Sequence, residues 1–135
     1  MKDCVFCNIG KEEIIIKTKY CVVIPDKYPV SKGHVLVVPK KHYKKITQIP
    51  DKELFDIIKT IKLMEKRMLK KLKSEGIDLR QNYRPFIPES RLRKEHIHFH
   101  LIPRSFNDLV YKKKGNVERK EISEKEKKWL IGLLG

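Results

Sequence analysis

"EHIHFHLIPR", residues 95–104, decides the architecture of this chain. His96, His98 and His100 alternate with Ile97, Phe99 and Leu101. A β-strand turns successive side chains to opposite faces, so a period of two reads as a strand with one apolar, buried face. On this reading the three imidazoles share the other face at intervals of about 6.6 Å, and Pro103 ends the strand. A buried ring nitrogen needs a polar partner. Three such rings on one face therefore point to metal binding, to catalysis, or to both.

Upstream of this strand, "PFIPESRLRKE" (85–95) carries two prolines and many charges and reads as a loop. "IDLRQNYR" (77–84) reads as a short strand. From Pro50 to about Ser74 the residues Leu54, Ile57, Ile58, Ile61, Met64, Met68 and Leu72 recur at helical spacing. Asp51 caps or complements the start of that helix, lysines crowd its last turn, and Gly76 follows as a stop signal. "HVLVVPK" (34–40) is a strand of about five residues, preceded by Gly33 and His34 and stopped by Pro39. "EEIIIKTKYCVVIP" gives two strands, about 13–17 and 20–24, joined by a tight turn. Downstream, residues 105–121 are polar and irregular and are expected to be mobile. Ser123 and Glu126 then form a capping-box pattern that opens a short helix carrying Trp129, Leu130, Leu133 and Leu134. That helix has an apolar face to bury, against either a second copy of the chain or its own domain. The order predicts an α+β domain: an antiparallel sheet of about five strands, one long helix and a short C-terminal helix. At 135 residues a single domain, 1–135, is expected, with a core over 4–104 and a C-terminal extension over 105–135.

Composition narrows the class. Lys and Arg number 32 against 17 Asp and Glu, a formal charge of +15, and such a surface attracts nucleotides, nucleic acid or anionic membranes. The bland reading is a lysine-rich composition. The sequence has no alanine and only two glutamines, Gln48 and Gln81, while Lys, Glu and Ile are abundant, which suits a thermophilic organism. No apolar run is long enough for a membrane span, and "MKDCVFCNIG" lacks a signal peptide's apolar stretch, so a cytoplasmic protein is expected.

Three cysteines are too few, and odd in number, for a disulfide framework. Cys4 and Cys7 form C-x-x-C, whereas Cys21 stands in an apolar stretch and reads as an inert buried thiol. A tetrahedral zinc site takes four Cys or His ligands. Two would be Cys4 and Cys7, and two would come from the five histidines, which cluster as His34 and His42 and as His96, His98 and His100. Spacing alone leaves open which histidines bind.

"HIHFHLIPR" resembles the signature of the histidine-triad (HIT) family, and "KGHVLVVPKKHYKKI" resembles that family's upstream strand with its "GH" and "PKKH". "CVFC" resembles the zinc-containing, Hint-like branch, and "DKYP" and the "QN" at 81–82 fit in order and spacing. The resemblance covers about residues 4–104. It implies a HIT-like fold, usually a homodimer, with structural zinc held by Cys4, Cys7, His42 and His96. It implies His98 as the nucleophile, with His100 and His34 around the substrate phosphate. It places Asp26 at ribose hydroxyls, Phe6 and Ile24 near the base, and Asn82 near the phosphates. The activity implied is that of a nucleotide hydrolase or nucleotidyltransferase, attacking the α-phosphate of a nucleotide conjugate through a covalent nucleotidyl-His98. Phosphoramidates and dinucleoside polyphosphates are the substrate classes.

The chain departs from the pattern shortly before the triad. Leu92 and Arg93 stand where the hydrolase members carry a polar amide and a hydroxyl, and "NYRPFIPES" lengthens the loop. Arg84, Arg91 and Arg93 are either polyphosphate ligands, since a guanidinium suits phosphate oxygens, or solvated loop charges. Extra positive charge also suits a nucleotidylated nucleic-acid end. The alternative function is a zinc-stabilised basic module that binds nucleotides or nucleic acid without turnover. Mutation of His98 discriminates the two.

Overall fold

The computed structural model describes residues 3–87, 95–108 and 119–135. Five strands form one sheet in the order β1-β2-β3-β5-β4, where β1 is Ile16–Lys17, β2 Cys21–Pro25, β3 Val35–Pro39, β4 Gly76–Arg80 and β5 Phe99–Arg104. Every neighbouring pair is antiparallel. The expected α+β architecture is therefore the observed one. Cys21, Val23, Val35, Val37, Phe99 and Leu101 face the helices α1 (Asp51–Lys71) and α2 (Glu124–Leu134). Val22, Ile24, Leu36 and Val38 face the other way, beneath an N-terminal segment that contributes Cys4, Phe6, Cys7, Ile9 and Ile14. β2 and β3 are thus buried on both faces, which is why they read as unbroken apolar runs.

In α1 the buried apolar stripe is Ile57, Ile61, Met64 and Met68, with Leu54 and Leu72 packed at its margin. Ile58, expected in the stripe, is turned to solvent with 43% of its surface exposed. Adjacent helical positions point about 100° apart, so Ile57 and Ile58 cannot both sit on the core-facing line. The residue in left-handed conformation after α1 is Lys73, at φ 54°, rather than Gly76, which opens β4. In α2 the capping box forms, with Ser123 Oγ accepting from Glu126 N at 3.0 Å. Leu130 and Leu134 are fully buried in the main core. Arg67 Nη1 donates to Leu134 O at 2.8 Å and Lys71 Nζ to Leu133 O at 3.0 Å, satisfying carbonyls that a helix end leaves open. The chain's own domain supplies the surface on which α2 packs.

Three boundaries differ from the sequence reading. β1 is only two residues long, because Lys11–Glu13 form a 3₁₀ turn. β4 ends at Arg80. The third matters most: β5 begins at Phe99, so His96 and His98 precede the strand. β3 pairs β5 as Val35↔Leu101, Leu36↔His100 and Val37↔Phe99, and the next steps would bring Ile97 opposite Pro39. Proline has no N–H to donate, and Ile97 N donates instead to Tyr43 O at 2.7 Å. Much of the stretch expected to be mobile, residues 109–118, lies outside the described residues, as do Arg91 and Arg93. Among the described residues no helix is long and apolar enough to cross a membrane.

Candidate functional site

The three alternate histidines do not share one site. Their extended backbone delivers His96 to the two N-terminal thiols, His100 to a buried carboxylate, and His98 to the space between.

Cys4, Cys7, His42 and His96 bring four donor atoms within 4.8 Å of one another. His96 Nδ1 lies 3.4 Å from both Cys4 Sγ and Cys7 Sγ, and His42 Nδ1 lies 3.3 Å from Cys7 Sγ. With metal–sulfur bonds of about 2.3 Å and metal–nitrogen bonds of about 2.0–2.1 Å, a tetrahedral zinc separates S and N by about 3.5 Å. The donor set therefore fits a closed four-ligand ion, and all three cysteines are free thiols. His96 Nε2 donates to Pro39 O at 2.7 Å, which leaves Nδ1 as the ligating nitrogen. Burial lowers the His96 pKa to about 4 and raises that of Cys7, so the imidazole is neutral at pH 7 and ready to bind a cation. The support comes from α1. Buried Glu53 accepts from Tyr43 OH at 2.9 Å and lies 3.6 Å from Lys41 Nζ, fixing both neighbours of His42.

The second cluster is Asp26, His34 and His100. Its protons can be assigned from the backbone outward. Val30 N–H, which can only donate, points to His34 Nδ1 at 3.0 Å. Burial first, then repulsion from His100, whenever that ring is protonated, and from Arg119, lowers the His34 pKa to about 2, so this ring is neutral with its proton on Nε2. The 3.3 Å contact of His34 Nε2 with Asp26 Oδ2 is consequently a neutral imidazole beside a carboxylate, not an ion pair. His34 Nε2–H donates to His100 Nδ1 at 2.9 Å, which puts the proton of a neutral His100 on its Nε2. His98 is oriented the opposite way. Its Nδ1 lies 3.0 Å from His96 O, and a carbonyl only accepts, so Nδ1 carries the proton and Nε2 is the basic nitrogen. The His98 ring sits 4.9 Å from that of His100 and 4.8 Å from that of Phe6.

A cavity of about 350 Å³ shares Asp26 with this cluster, has Phe6, the ring beside His98, as another wall, and is otherwise lined by Ile24, Leu36, Ile122 and Lys127 among others. Phe6, Ile24 and Asp26 thus line one pocket. Asp26 also contacts two histidines, and its Oδ1 accepts from Tyr28 N at 2.7 Å. Asn82 is exposed and bonds with its neighbours Gln81 and Arg84. Arg93 lies outside the described residues. The sequence reading missed Arg119. Its guanidinium donates to Tyr28 O and lies 3.7 Å from Asp26 Oδ1. It also missed Ile122, whose N–H donates to Lys27 O at 2.8 Å. No local pattern marks either residue, because only the return of the chain from α1 and β5 brings segment 119–122 to β2.

The HIT domain matches residues 10–107. An uncharacterized HIT-like protein of Methanocaldococcus jannaschii is 37% identical over 125 residues, covering 90% of this chain and 94% of that protein. An adenosine 5'-monophosphoramidase of Saccharomyces cerevisiae is 36% identical over 105 residues, covering 75% of this chain and 62% of that protein. The crystal structure of a hypothetical histidine triad nucleotide-binding protein from Sulfolobus tokodaii superposes with a TM-score of 0.77 at 27% identity, covering 97% of this chain and 89% of that one. By sequence, by fold and by the ordering of its histidines, the chain belongs to the HIT domain family.

Proposed function

We propose that the chain is a nucleotide hydrolase or nucleotidyltransferase that attacks the α-phosphorus of a nucleotide conjugate with His98 Nε2. The observation that carries this reading is the pair of Nδ1 contacts, that of His98 with His96 O and that of His100 with His34 Nε2, from which follow a basic Nε2 on His98 and an Nε2–H on His100. In the first step the Nε2–P bond forms and the leaving group departs with the electron pair of its own bond to phosphorus, taking up a proton from solvent that the attacking water or hydroxyl returns to solvent in the second step. His98 becomes a cation, and its Nδ1–H on His96 O stabilises that charge. His100 Nε2–H donates to a phosphate oxygen as negative charge builds there. Water, or an acceptor hydroxyl, then attacks phosphorus and breaks the P–N bond, restoring neutral His98. The nucleoside occupies the 350 Å³ cavity, with the base between Phe6 and Ile24 and the ribose at Asp26. Its volume lies within the range usual for small-molecule sites. The relative named as an adenosine 5'-monophosphoramidase supports the same reaction class.

Zinc is the ion proposed for Cys4, Cys7, His42 and His96. Four protein ligands leave no open position, so the role is structural: it ties the N-terminal segment, the loop after β3 and the approach to β5 together. The same reading includes a homodimer.

The test is nucleotide release from adenosine phosphoramidate, dinucleoside polyphosphates and an adenylylated DNA end, followed by chromatography, with His98→Ala alongside. Turnover of at least one class, falling by on the order of 10³-fold or more in the variant, is expected. Nucleotide binding to both proteins with turnover by neither would replace the enzyme with a binding module.

A further inference from the structure

At the end of β5 remote from the triad, two adjoining cavities combine positive charge with bare aromatic rings. One, of about 430 Å³, is lined by Ser31, Lys32, Lys71, Lys73, Arg104 and Trp129 among others. The other, of about 460 Å³, shares Arg104 and Ser105 with it and is bordered by Phe106. β5 runs about 17 Å from Phe99, next to His98, to Arg104, so this surface is separate from His98.

The charges are not equivalent. The Arg104 guanidinium is buried, with Nε 3.5 Å from Asp78 and 3.3 Å from Asp108, and it serves as a compensated wall. Lys32, Lys71 and Lys73 are exposed and give the rim its positive sign. The rings are equally specific. Trp129 keeps 41% of its surface exposed although its helix neighbours Leu130 and Leu134 are fully buried. Lys32 Nζ stands over the Trp129 ring, 4.6 Å from its centroid, a contact that a stacking base would replace as the ammonium turns to a phosphate. Phe106 is 84% exposed, yet its backbone N–H is anchored on Glu75 Oε1 at 3.1 Å. A phenyl ring on an anchored backbone and an indole under a lysine flank a cationic hollow.

We propose that this surface binds single-stranded nucleic acid, with phosphates at Lys32, Lys71 and Lys73 and bases stacked on Trp129 and Phe106. Aromatic platforms interleaved with cations are what a flexible strand with exposed base faces can use. A duplex hides those faces in its own stack. An acidic peptide would use the lysines and leave the rings idle. The site extends the proposed chemistry at His98 but does not rest on it.

Trp129 is the only tryptophan of the chain, so its fluorescence reports on this surface directly. The experiment titrates the full chain with a short oligothymidylate and with a duplex of equal length, following tryptophan emission and the anisotropy of a labelled strand over a range of salt. The single strand is expected to change Trp129 emission and to bind more tightly than the duplex. Lys32→Glu and Lys73→Glu, both at exposed positions, should each weaken binding about ten-fold. Each should also lower the salt slope by at least the roughly 0.7 that one lost phosphate contact removes. Phe106→Ala should weaken binding about ten-fold through the loss of one stacked base, and His98→Ala should bind as the intact chain does. Absence of binding would overturn the proposal. So would binding that leaves Trp129 emission unmoved, equal affinity for duplex, or indifference to both lysine reversals.

Discussion

His34, His98 and His100 are one residue type in two opposed tautomers, and the partner of each Nδ1 sets the difference. Val30 N–H fixes His34 as an Nδ1 acceptor, and His96 O fixes His98 as an Nδ1 donor. His34 also carries a consequence for stability. Its pKa in the fold is about 2, whereas an unfolded histidine titrates near 6.5. Below that value the unfolded chain takes up a proton that the folded ring refuses. The contribution of His34 is therefore fully present above pH 6.5 and is lost as pH falls from there toward 2. Between pH 6.5 and 5 the loss from this ring is about 2 kcal/mol. Urea midpoints measured across that interval should fall, and in His34→Gln the fall should be smaller by the share of this ring, with the buried His96, whose pKa is also lowered, supplying the rest. An unchanged pH slope in the variant would locate the acid sensitivity elsewhere.

At the scale of elements, two residues place the strands that carry the site. Pro39 ends the β3–β5 ladder and receives His96 Nε2 on its carbonyl, so the chain before Phe99 is released toward the thiols. Gly33 sits at φ 97°, and a Cβ there would come within 2.5 Å of Leu72 Cδ1 at the end of α1. Only glycine combines that backbone with that approach. Gly33 thereby sets the turn from which His34 folds back on Val30 N and enters β3. Gly33→Ala should cost about 2 kcal/mol or more, through the left-handed backbone and the displaced Leu72. Chemical denaturation reads the loss directly, and a variant as stable as the parent would mean that the turn relaxes. The sequence showed Gly33 beside His34, but not the helix end that it must clear.

At the scale of the whole molecule, the proposed zinc links segments that are distant in sequence. Purified protein should contain one zinc per chain by metal analysis. Cys4→Ser should fall well below that, with a lower melting temperature, and chelation of the parent should reproduce the shift. A metal-free parent that melts at the same temperature with and without chelator would remove the metal from the fold. The homodimer is tested by light scattering, where a mass near twice 16.1 kDa is expected. Exposed Phe55 and Ile58 on α1 and exposed Leu79 on the edge strand β4 offer apolar area for a second copy. A mass of one chain at micromolar concentration would refute the pairing.

The sequence by itself determined the class of fold and the chemistry in stock. Alternation and helical spacing are local, so the strands, the long helix and the capped C-terminal helix were legible, as were the C-x-x-C and the five histidines. Element ends were less so, because Pro39 stops β5 from across the sheet and Lys73, not Gly76, takes the left-handed turn after α1. Tertiary structure alone decided how the histidines divide. A strand pattern puts three rings on one face, but the partners of each ring are a thiol pair 89–92 residues away, a carbonyl and a neighbouring imidazole. It alone brought Arg119 to Asp26 and Trp129 to Lys32. Burial, tautomer and charge depend on what lies across space, and a linear pattern carries only what lies nearby along the chain.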